Sequence, residues 1–467
     1  MFTDYCLVNV IKLRGECSKI RPKQKRRQEQ KLDEVTAERY TGLITHLRST
    51  VSSNEFVKRH RQNEKAFTRQ RCLNFITVVV FLLNMIKRAL QDELDEFFKV
   101  VQQGQVAERV VSKSAFSQAR QKLKYSAFVE LNQAQVTYFY EHFEAQRWHG
   151  FRLLAMDGSM AALPNTAELR EHFGVWRPAA GGECPKARLS QLFDVLNKVT
   201  VDALIAPKAQ GERSLAGQHC QHLTESDLVL VDRGYPAFWL FAAIRARQAH
   251  FCARMSLSEW TVVAEFVASG QSEQLVQLQP GYQARKACQQ RHLSTEPLDV
   301  RLIRVELDKA EPIVLVTSLL DTDHFPYEQL QDLSLYRWPV ETDYNHLKNR
   351  LEVENWTGTT LSAIYQDFHA TVFTKNLAAL LAQPAQQVVV QQAAARQHPY
   401  QINFANLFSK LKDSVIHLFL AVNPVPFLHH LWVQMTRTIE PVRPNRSFPR
   451  KKRVKPRRFS LSYKRLR

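Results

Sequence analysis

The sequence predicts an α/β protein whose mixed sheet is preceded and followed by helical regions. Between residues 150 and 250, short apolar runs typical of strands alternate with stretches of helical periodicity. The order is strand, strand, strand, helix, strand, helix, and a turn at Asn197-Lys198 makes the second and third strands an antiparallel hairpin. The strand-like runs cover residues 153–156, 191–196, 199–205 and 228–231, and the helical stretches cover residues 215–223 and 236–248.

The N-terminal region, residues 1–145, is predicted to be mostly helical. Apolar residues recur at helical spacing from Phe75 to Ile86. Around residues 111–132 the apolar positions can face inward, which leaves Arg120 and Lys124 on a basic outer face. Such a face suits a helix that lies on DNA, and a solvated cationic face gives the same pattern, so both interpretations stay open.

The segments after the sheet are predicted to be an insertion, a helix, a linker and a basic C-terminal region. Residues 255–320 look β-rich, with a first short run at Thr261–Val263, and a strong helix follows at Pro339–Glu352. Residues 383–399 are rich in Gln, Ala and Pro, which is typical of a linker. Residues 400–467 begin with a helical segment and end in a cationic tail, whose last 25 residues contain 12 Lys and Arg and no acid.

The charge of the chain indicates a polyanionic partner. Its 467 residues contain 64 Lys and Arg against 45 Asp and Glu, a formal net charge of +19. An excess of this size favours association with nucleic acid. No apolar run is long enough to span a bilayer, and seven scattered cysteines without a CxxC pair indicate reduced thiols, so we expect a cytosolic protein without a membrane partner. The absence of a P-loop and of GxGxxG argues against a nucleotide cofactor.

Two aspartates follow separate strand-like runs. Asp157 lies in Met156-Asp-Gly-Ser159, and Asp232 lies in Val231-Asp-Arg-Gly-Tyr235. Functional groups of α/β sheets lie at the carboxyl ends of strands, and the nearby glycines permit close approach by a ligand. Each motif alone also fits an ordinary turn.

A third carboxylate, Glu341, lies on the helix that begins at Pro339. Arg337 precedes it by four residues and Lys348 follows it by seven, so an ideal helix places Glu341 and Lys348 on the same face. One carboxylate between two cations suits a site that binds metal through the acid and phosphate through the bases. A solvated helix face with weak ion pairs is the alternative for this segment alone.

Together, the three carboxylates could hold two Mg²⁺ ions roughly 3.5–4 Å apart, as in two-metal phosphoryl transfer. Hard carboxylate oxygens suit Mg²⁺ or Mn²⁺ and select poorly for zinc. Glu212 is expected near this site, because it begins the helix that follows the hairpin. His219 is interpreted as part of a helix surface, and Asp202 as a solvated residue of an edge strand.

The chain resembles the DDE transposases of bacterial insertion sequences, in the insertion-sequence-four type whose third motif is called YREK. The resemblance covers most of residues 60–380. It depends on motifs that occur in the family's order: Ser114-Ala-Phe-Ser-Gln-Ala-Arg120, Leu154-Ala-Met-Asp-Gly-Ser159, Leu163-Pro-Asn-Thr166, Glu168-Leu-Arg-Glu-His-Phe-Gly174, Asp232-Arg-Gly-Tyr235, and Arg337-Trp-Pro-Val-Glu341 with Lys348 seven residues later.

The resemblance implies an RNase H-like catalytic core over residues 150–380, with a β-rich insertion between the second aspartate and the glutamate. It implies that Asp157, Asp232 and Glu341 are the metal-binding catalytic triad. Arg337 and Lys348 carry over as contacts to DNA phosphate. The tyrosine that the motif places seven residues before Glu341 is replaced by Ser334.

The implied partners are double-stranded DNA at the element's terminal inverted repeats and at the target, bound by a homodimer. The implied reaction releases a 3′-hydroxyl and transfers that strand to target DNA with Mg²⁺, and its location is the nucleoid of the bacterial cytoplasm. Two alternatives stay open: an RNase H-like nuclease without strand transfer, and a catalytically inactive DNA-binding protein.

Overall fold

The computed structural model describes residues 22–176, 183–257, 259–307 and 310–443. The basic tail beyond residue 443 lies outside the described residues. From residue 22 onwards, six helices precede the first strand: α1 (Pro22–Ser52), α2 (Asn54–His60), α3 (Phe75–Leu83), α4 (Leu90–Val101), α5 (Lys113–Arg120) and α6 (Ser126–His142). Polar caps begin three of them, since the Ser53 hydroxyl accepts from the Phe56 amide, the Asn74 side chain from the Thr77 amide and the Ser112 hydroxyl from the Ala115 amide. The predicted helical character of this region is confirmed.

Eleven strands are present in the described ranges. Their bounds are β1 (Arg152–Ala162), β2 (Val175–Trp176), β3 (Cys184–Asp194), β4 (Val199–Ala206), β5 (Asp227–Val231), β6 (His250–Arg254), β7 (Glu273–Leu278), β8 (Leu298–Leu307), β9 (Ala310–Thr317), β10 (Tyr400–Ile402) and β11 (Ile439–Pro441). The predicted hairpin is confirmed: β3 and β4 pair antiparallel, and Lys198 turns the chain with a φ of 58°. The Asp194 carboxylate accepts hydrogen bonds from the Leu196 and Asn197 amides and so stabilises this turn.

The main sheet has the order β2-β3-β1-β5-β6-β9-β8-β7, and β4 pairs with β3 beside this path. β1, β5 and β6 are parallel neighbours, whereas β6 and β9 pair antiparallel. Strands β7 to β9 come from the predicted insertion, so the insertion continues the core sheet. A small second sheet pairs β10 with β11.

The remaining helices are α7 (Ala167–Phe173), α8 (Glu212–His219), α9 (Phe238–Ala246), α10 (Thr261–Ser269), α11 (Tyr282–Gln289), α12 (Tyr327–Tyr336), α13 (Pro339–Asn345), α14 (Leu361–Gln392), α15 (Phe404–Leu420, kinked at Lys412 and Asp413) and α16 (Val425–Thr436). A 3₁₀ turn, Cys220–His222, follows α8, and a π-helical turn, His346–Arg350, follows α13.

Two predictions about secondary structure are wrong. Thr261–Val263 begins helix α10 instead of a strand, because Val263 and Phe266 are buried at helical spacing and a short β-branched run does not distinguish the two. The predicted linker is helical up to Gln392. Alanine is the best helix former, and Ala385 and Val389 are buried, which outweighs the hydrogen bond lost at Pro384.

The chain divides into two compact units. The first is helical and comprises Met1–Glu144, Ala161–Pro185 and Asn345–Arg467. Its central helix α14 is buried on most sides, and the Gln135 amide of α6 donates to the Phe373 carbonyl of α14. The second unit comprises Ala145–Met160 and Lys186–Tyr344 and contains most of the main sheet.

Candidate active site

Asp157 and Asp232 lie side by side where the parallel pairing of strands β1 and β5 ends. Strand β1 is longer than predicted and continues through Asp157, but its pairing with β5 ends at Met156 and Val231. Each carboxylate is therefore the first side chain beyond the paired region. The Gly158 amide donates to the Asp157 Oδ1 at 2.9 Å, which holds this carboxylate close to its own backbone.

Helix α13 carries Glu341 to the same place. Pro339 begins the helix, and Val340 and Tyr344 bury its apolar side. The Tyr344 hydroxyl donates a 2.9 Å hydrogen bond to the Asp157 carbonyl oxygen, so the helix is tied directly to strand β1. This contact brings the distant glutamate to the two strand-end aspartates.

One guanidinium, that of Arg337, lies among the three carboxylates. Its Nη2 is 2.9 Å from the Glu341 Oε1 and 3.6 Å from the Asp232 Oδ2, and its Nη1 is 3.9 Å from the Asp157 Oδ2. Arg337 is 9% exposed. The structure thus places Arg337, one of the two cations predicted beside Glu341, among all three carboxylates.

The surroundings of Asp157 disfavour the ionised form of its carboxyl group. The pKa of this carboxyl is raised to about 6, chiefly by burial and also by the negative charges of Glu341 and Asp232. The Gly158 amide and Arg337 act in the opposite direction. A carboxylate in this state gains from any additional positive charge placed beside it.

Arg254 is a site residue that the sequence reasoning missed. It ends strand β6, and the register that pairs Val231 with Ala253 places it beside Asp232. Burial lowers the pKa of Arg254, and the positive charges of Arg233 and Arg337 lower it further, while Asp232 raises it. The strand-end rule that identified the two aspartates would also have found Arg254, since it follows the buried run Phe251–Ala253.

The opposite side of Asp157 is closely packed. A Cβ on Gly158 would lie 3.3 Å from both the Glu212 Cγ and the Tyr235 hydroxyl, so glycine permits this approach. Glu212 therefore lies near the site as predicted, and it is paired with Arg188 at 2.6 Å. The buried Tyr235 hydroxyl has no hydrogen-bond partner among the described residues.

The donors fit a hard divalent cation in their chemistry. All three carboxylates already share one cation, Arg337, and carboxylate oxygens are the ligands that Mg²⁺ and Mn²⁺ prefer. Within the described ranges, however, no three His, Cys, Asp or Glu side chains are arranged so that they could hold a metal ion together. The carboxylates surround the guanidinium at distances that a shared metal would shorten.

The prediction that Arg120 contacts DNA is wrong. Arg120 is 5% exposed, and Asp367 of helix α14 pairs with its Nη2 at 2.9 Å. The amphipathic pattern of α5 leaves this residue outward, but α14, which follows more than 200 residues later, covers that face. The Ser114–Arg120 motif is therefore a packing element of the helical unit.

The other two predicted DNA contacts lie at the surface or close to it. Lys124 is half-buried, and its Nζ donates to the Arg59 carbonyl at 3.1 Å. Lys348 is half-buried and lies on the π-helical turn that follows α13. Ser334, at the position of the motif's tyrosine, donates to the Gln331 carbonyl within helix α12.

His219 and Asp202 are buried, so both surface interpretations are wrong. The His219 Nδ1 is 2.7 Å from the Asp202 Oδ2, and its Nε2 is 2.9 Å from the Ser190 hydroxyl. All three side chains are at most 8% exposed. The cluster joins helix α8 to the β3–β4 hairpin and is a packing feature.

The chain is similar to known transposases. Residues 148–377 match the family described as the transposase DDE domain. The chain is 26% identical over 243 residues to the transposase InsG for insertion sequence element IS4 of Escherichia coli (strain K12), which covers 52% of this chain and 54% of that protein. It is 28% identical over 134 residues to the putative transposase InsZ of the same strain, covering 28% and 44%.

Among solved structures, a piggyBac transposase synaptic complex with hairpin DNA is similar, with a TM-score of 0.45 and 8% identity over 84% of this chain and 85% of that one. The chain spans about half the length of the curated relatives it matches. The stretch that matches the transposase DDE domain, residues 148–377, includes all three carboxylates. The resemblance to DDE transposases of the insertion-sequence-four type is thereby confirmed. No helix in the described part of the chain is both long and apolar enough to cross a membrane.

Proposed function

We propose that this chain is a DDE transposase that cleaves DNA at the terminal inverted repeats of an insertion sequence and joins the freed 3′-hydroxyl to target DNA. The observation that carries the proposal is the convergence of Asp157, Asp232 and Glu341 on one guanidinium at the carboxyl end of parallel strands. The family match over residues 148–377 supports it, since it contains all three carboxylates.

The core is proposed to be RNase H-like. Its strands lie in the order β4-β3-β1-β5-β6. The antiparallel hairpin of β3 and β4 lies on one side of β1, and β5 and β6, which run parallel to β1, lie on the other side. This order agrees with the succession of strands read from the sequence and with the fold that the resemblance implies.

Asp157, Asp232 and Glu341 would hold Mg²⁺, which Mn²⁺ can replace, with two ions per site. When bound, the metal supplies Lewis-acid stabilisation of the transferring phosphoryl group and lowers the pKa of the attacking hydroxyl. The protein's own groups have other tasks. Tyr344 orients the backbone at Asp157 through its hydrogen bond, and Arg254 beside Asp232 is placed to bind a DNA phosphate.

The DNA contacts are proposed to be Arg337, Lys348, Lys124 and Arg254. A net charge of +19 supports a polyanionic partner of the size of a DNA duplex. The family resemblance leads us to propose that a homodimer brings two element ends together in the bacterial cytoplasm. Phosphate contacts carry no sequence information directly, so other residues would have to recognise the bases.

The test uses the purified chain and a DNA duplex that carries the inverted repeats flanking its gene. Asp157→Asn, Asp232→Asn and Glu341→Gln should each lower Mg²⁺-dependent cleavage by at least about a thousandfold while duplex binding persists. Glu328→Gln is the matched control, because Glu328 is exposed on the preceding helix α12. Wild-type cleavage rates in any of the three site variants would contradict the assignment.

A second assay separates the alternatives. Pre-cut ends are incubated with a supercoiled target plasmid, and joined products are measured. A nuclease would hydrolyse DNA without joining, and an inactive DNA-binding protein, which Ser334 at the tyrosine position keeps open, would bind without either reaction.

A further inference from the structure

The three carboxylates of the site share a cation that belongs to the protein itself. Only the Glu341 oxygen is within hydrogen-bond distance of Arg337, at 2.9 Å, while the nearest oxygens of Asp232 and Asp157 lie 3.6 and 3.9 Å away. The guanidinium therefore offsets part of the negative charge of the three carboxylates, and it forms no hydrogen bond with either aspartate. A divalent ion bound by the same oxygens would meet this positive charge at close range and would be repelled.

We propose that Arg337 is an exchangeable counter-ion that couples metal binding to DNA binding. Without DNA it occupies the centre of the carboxylates. When DNA binds, it transfers to a backbone phosphate and so frees the carboxylates for Mg²⁺. This inference rests on the proposed function and adds to it a regulation of the same site, which prevents stable metal loading before substrate is present.

The position of Arg337 suits such an exchange. Its backbone lies at the end of helix α12, directly before α13, so its side chain can change partners by rotating about its own bonds. Its guanidinium lies 5.6 Å from the ring centre of Trp338, an aromatic surface beside the site. A guanidinium also binds a phosphate in a bidentate manner as readily as it binds a carboxylate.

The surrounding charges favour the exchange in the presence of DNA. Arg233 and Arg254 both lie close to Asp232, and their mutual repulsion with Arg337 is among the causes that lower the pKa of Arg254. A DNA phosphate would relieve this repulsion. The absence of a preformed metal-binding group among the described residues agrees with a site that must rearrange before it can bind metal.

Linkage makes the proposal measurable. If DNA raises the affinity for metal, metal raises the affinity for DNA by the same factor, and removal of the coupling residue lowers both effects together. Arg337→Gln removes the charge and retains a polar side chain. It should therefore bind metal more tightly than the wild type when DNA is absent, and should gain less from DNA.

The experiment measures Mn²⁺ binding to the full chain by electron paramagnetic resonance, with and without the terminal-repeat duplex. For the wild type we expect about tenfold or greater tightening by DNA. For Arg337→Gln we expect tighter binding than the wild type without DNA, and less than about threefold tightening when DNA is added. Arg285→Gln, an exposed arginine of helix α11, controls for the change in net charge.

The outcomes are distinguishable. If Arg337→Gln binds Mn²⁺ no more tightly than the wild type without DNA, or keeps the full effect of DNA, the counter-ion role is wrong while the metal site stands. If Asp157→Asn and Asp232→Asn bind Mn²⁺ as the wild type does, with or without DNA, the proposed catalytic site itself is wrong.

Discussion

Arg120 and Arg337 are both buried arginines that the sequence predicts as DNA contacts, and they differ in how their donors are used. The Arg120 Nε donates to Gln366 at 2.9 Å, its Nη1 donates to Thr357 at 2.6 Å, and its Nη2 donates to Asp367 at 2.9 Å and to the Ala363 carbonyl at 3.3 Å. One carboxylate and three neutral acceptors thus hold it in a single geometry.

Arg337 has the opposite arrangement. Three carboxylates surround it, but only Glu341 accepts a hydrogen bond from it. Close acceptors on its donors make Arg120 a fixed part of the fold, whereas the longer contacts of Arg337 with two aspartates are the arrangement that the proposed exchange requires. Burial alone therefore does not separate a structural arginine from a functional one, and the number and distance of its acceptors do.

The largest expected effect concerns Arg120. Arg120→Ala should lower the free energy of unfolding by about 3–5 kcal/mol, because it leaves the carboxylate of Asp367 buried without its partner. Urea unfolding followed by circular dichroism measures this loss. Arg285→Ala, at an exposed position, should change stability by less than about 0.5 kcal/mol. An Arg120→Ala protein with wild-type stability but weak DNA binding would reverse the comparison.

The next effect concerns Asp157 and depends on pH. Its folded-state pKa of about 6 lies above the ordinary value of 3.8, so the folded protein retains a proton that the unfolded chain releases. The stability that this retained proton contributes to the folded protein is fully present below about pH 4 and is lost as pH rises through about 6. Metal-free Asp157→Asn, which cannot ionise, should therefore be more stable than the wild type by about 1–3 kcal/mol at pH 8, and this advantage should shrink by pH 5.

Thermal unfolding of both proteins in a chelating buffer across this pH range is the measurement. Asp299→Asn, which removes an exposed carboxylate of strand β8, should differ from the wild type by the same small amount at every pH. An Asp157→Asn protein less stable than the wild type at pH 8 would show that the site is not strained in the metal-free state.

The smallest effect concerns Lys124, the predicted contact that stays near the surface. Lys124→Ala should weaken DNA binding a few-fold and reduce the slope of log affinity against log salt by about 1, while stability changes by less than about 0.5 kcal/mol. Fluorescence anisotropy titrations at several salt concentrations test this. Lys99→Ala, on helix α4 of the same unit, is the control, and an unchanged slope for Lys124→Ala would remove Lys124 from the interface.

The local patterns predicted what depends on local sequence. The β3–β4 hairpin and the strand before Asp232 follow from apolar runs and turn residues, and both are confirmed. The pairing of β6 with β9 could not be predicted, because more than 50 residues separate these strands and neither carries a signal for its partner. The prediction of a strand at Thr261–Val263 was wrong because three β-branched residues in a row fit the start of a helix equally well.

The site was predictable to the same degree. Strand ends identified Asp157 and Asp232, and helical spacing identified Glu341, but neither pattern shows that Arg337 lies among all three. The face of α5 that carries Arg120 looked solvated because the covering residue, Asp367, lies far along the chain. The interpretation of His219 as a surface residue was wrong for the same reason, because its partners Ser190 and Asp202 belong to a hairpin that precedes it in the chain.

The antiparallel pairing of β6 with β9 places the inserted segment close to the three carboxylates of the candidate site. If residues 255–320 were excised, Cys252, Ala253 and Arg254 would be left on an unprotected sheet margin one strand away from Asp232. A shortened version of this protein would therefore require a substitute strand at the same edge of the sheet.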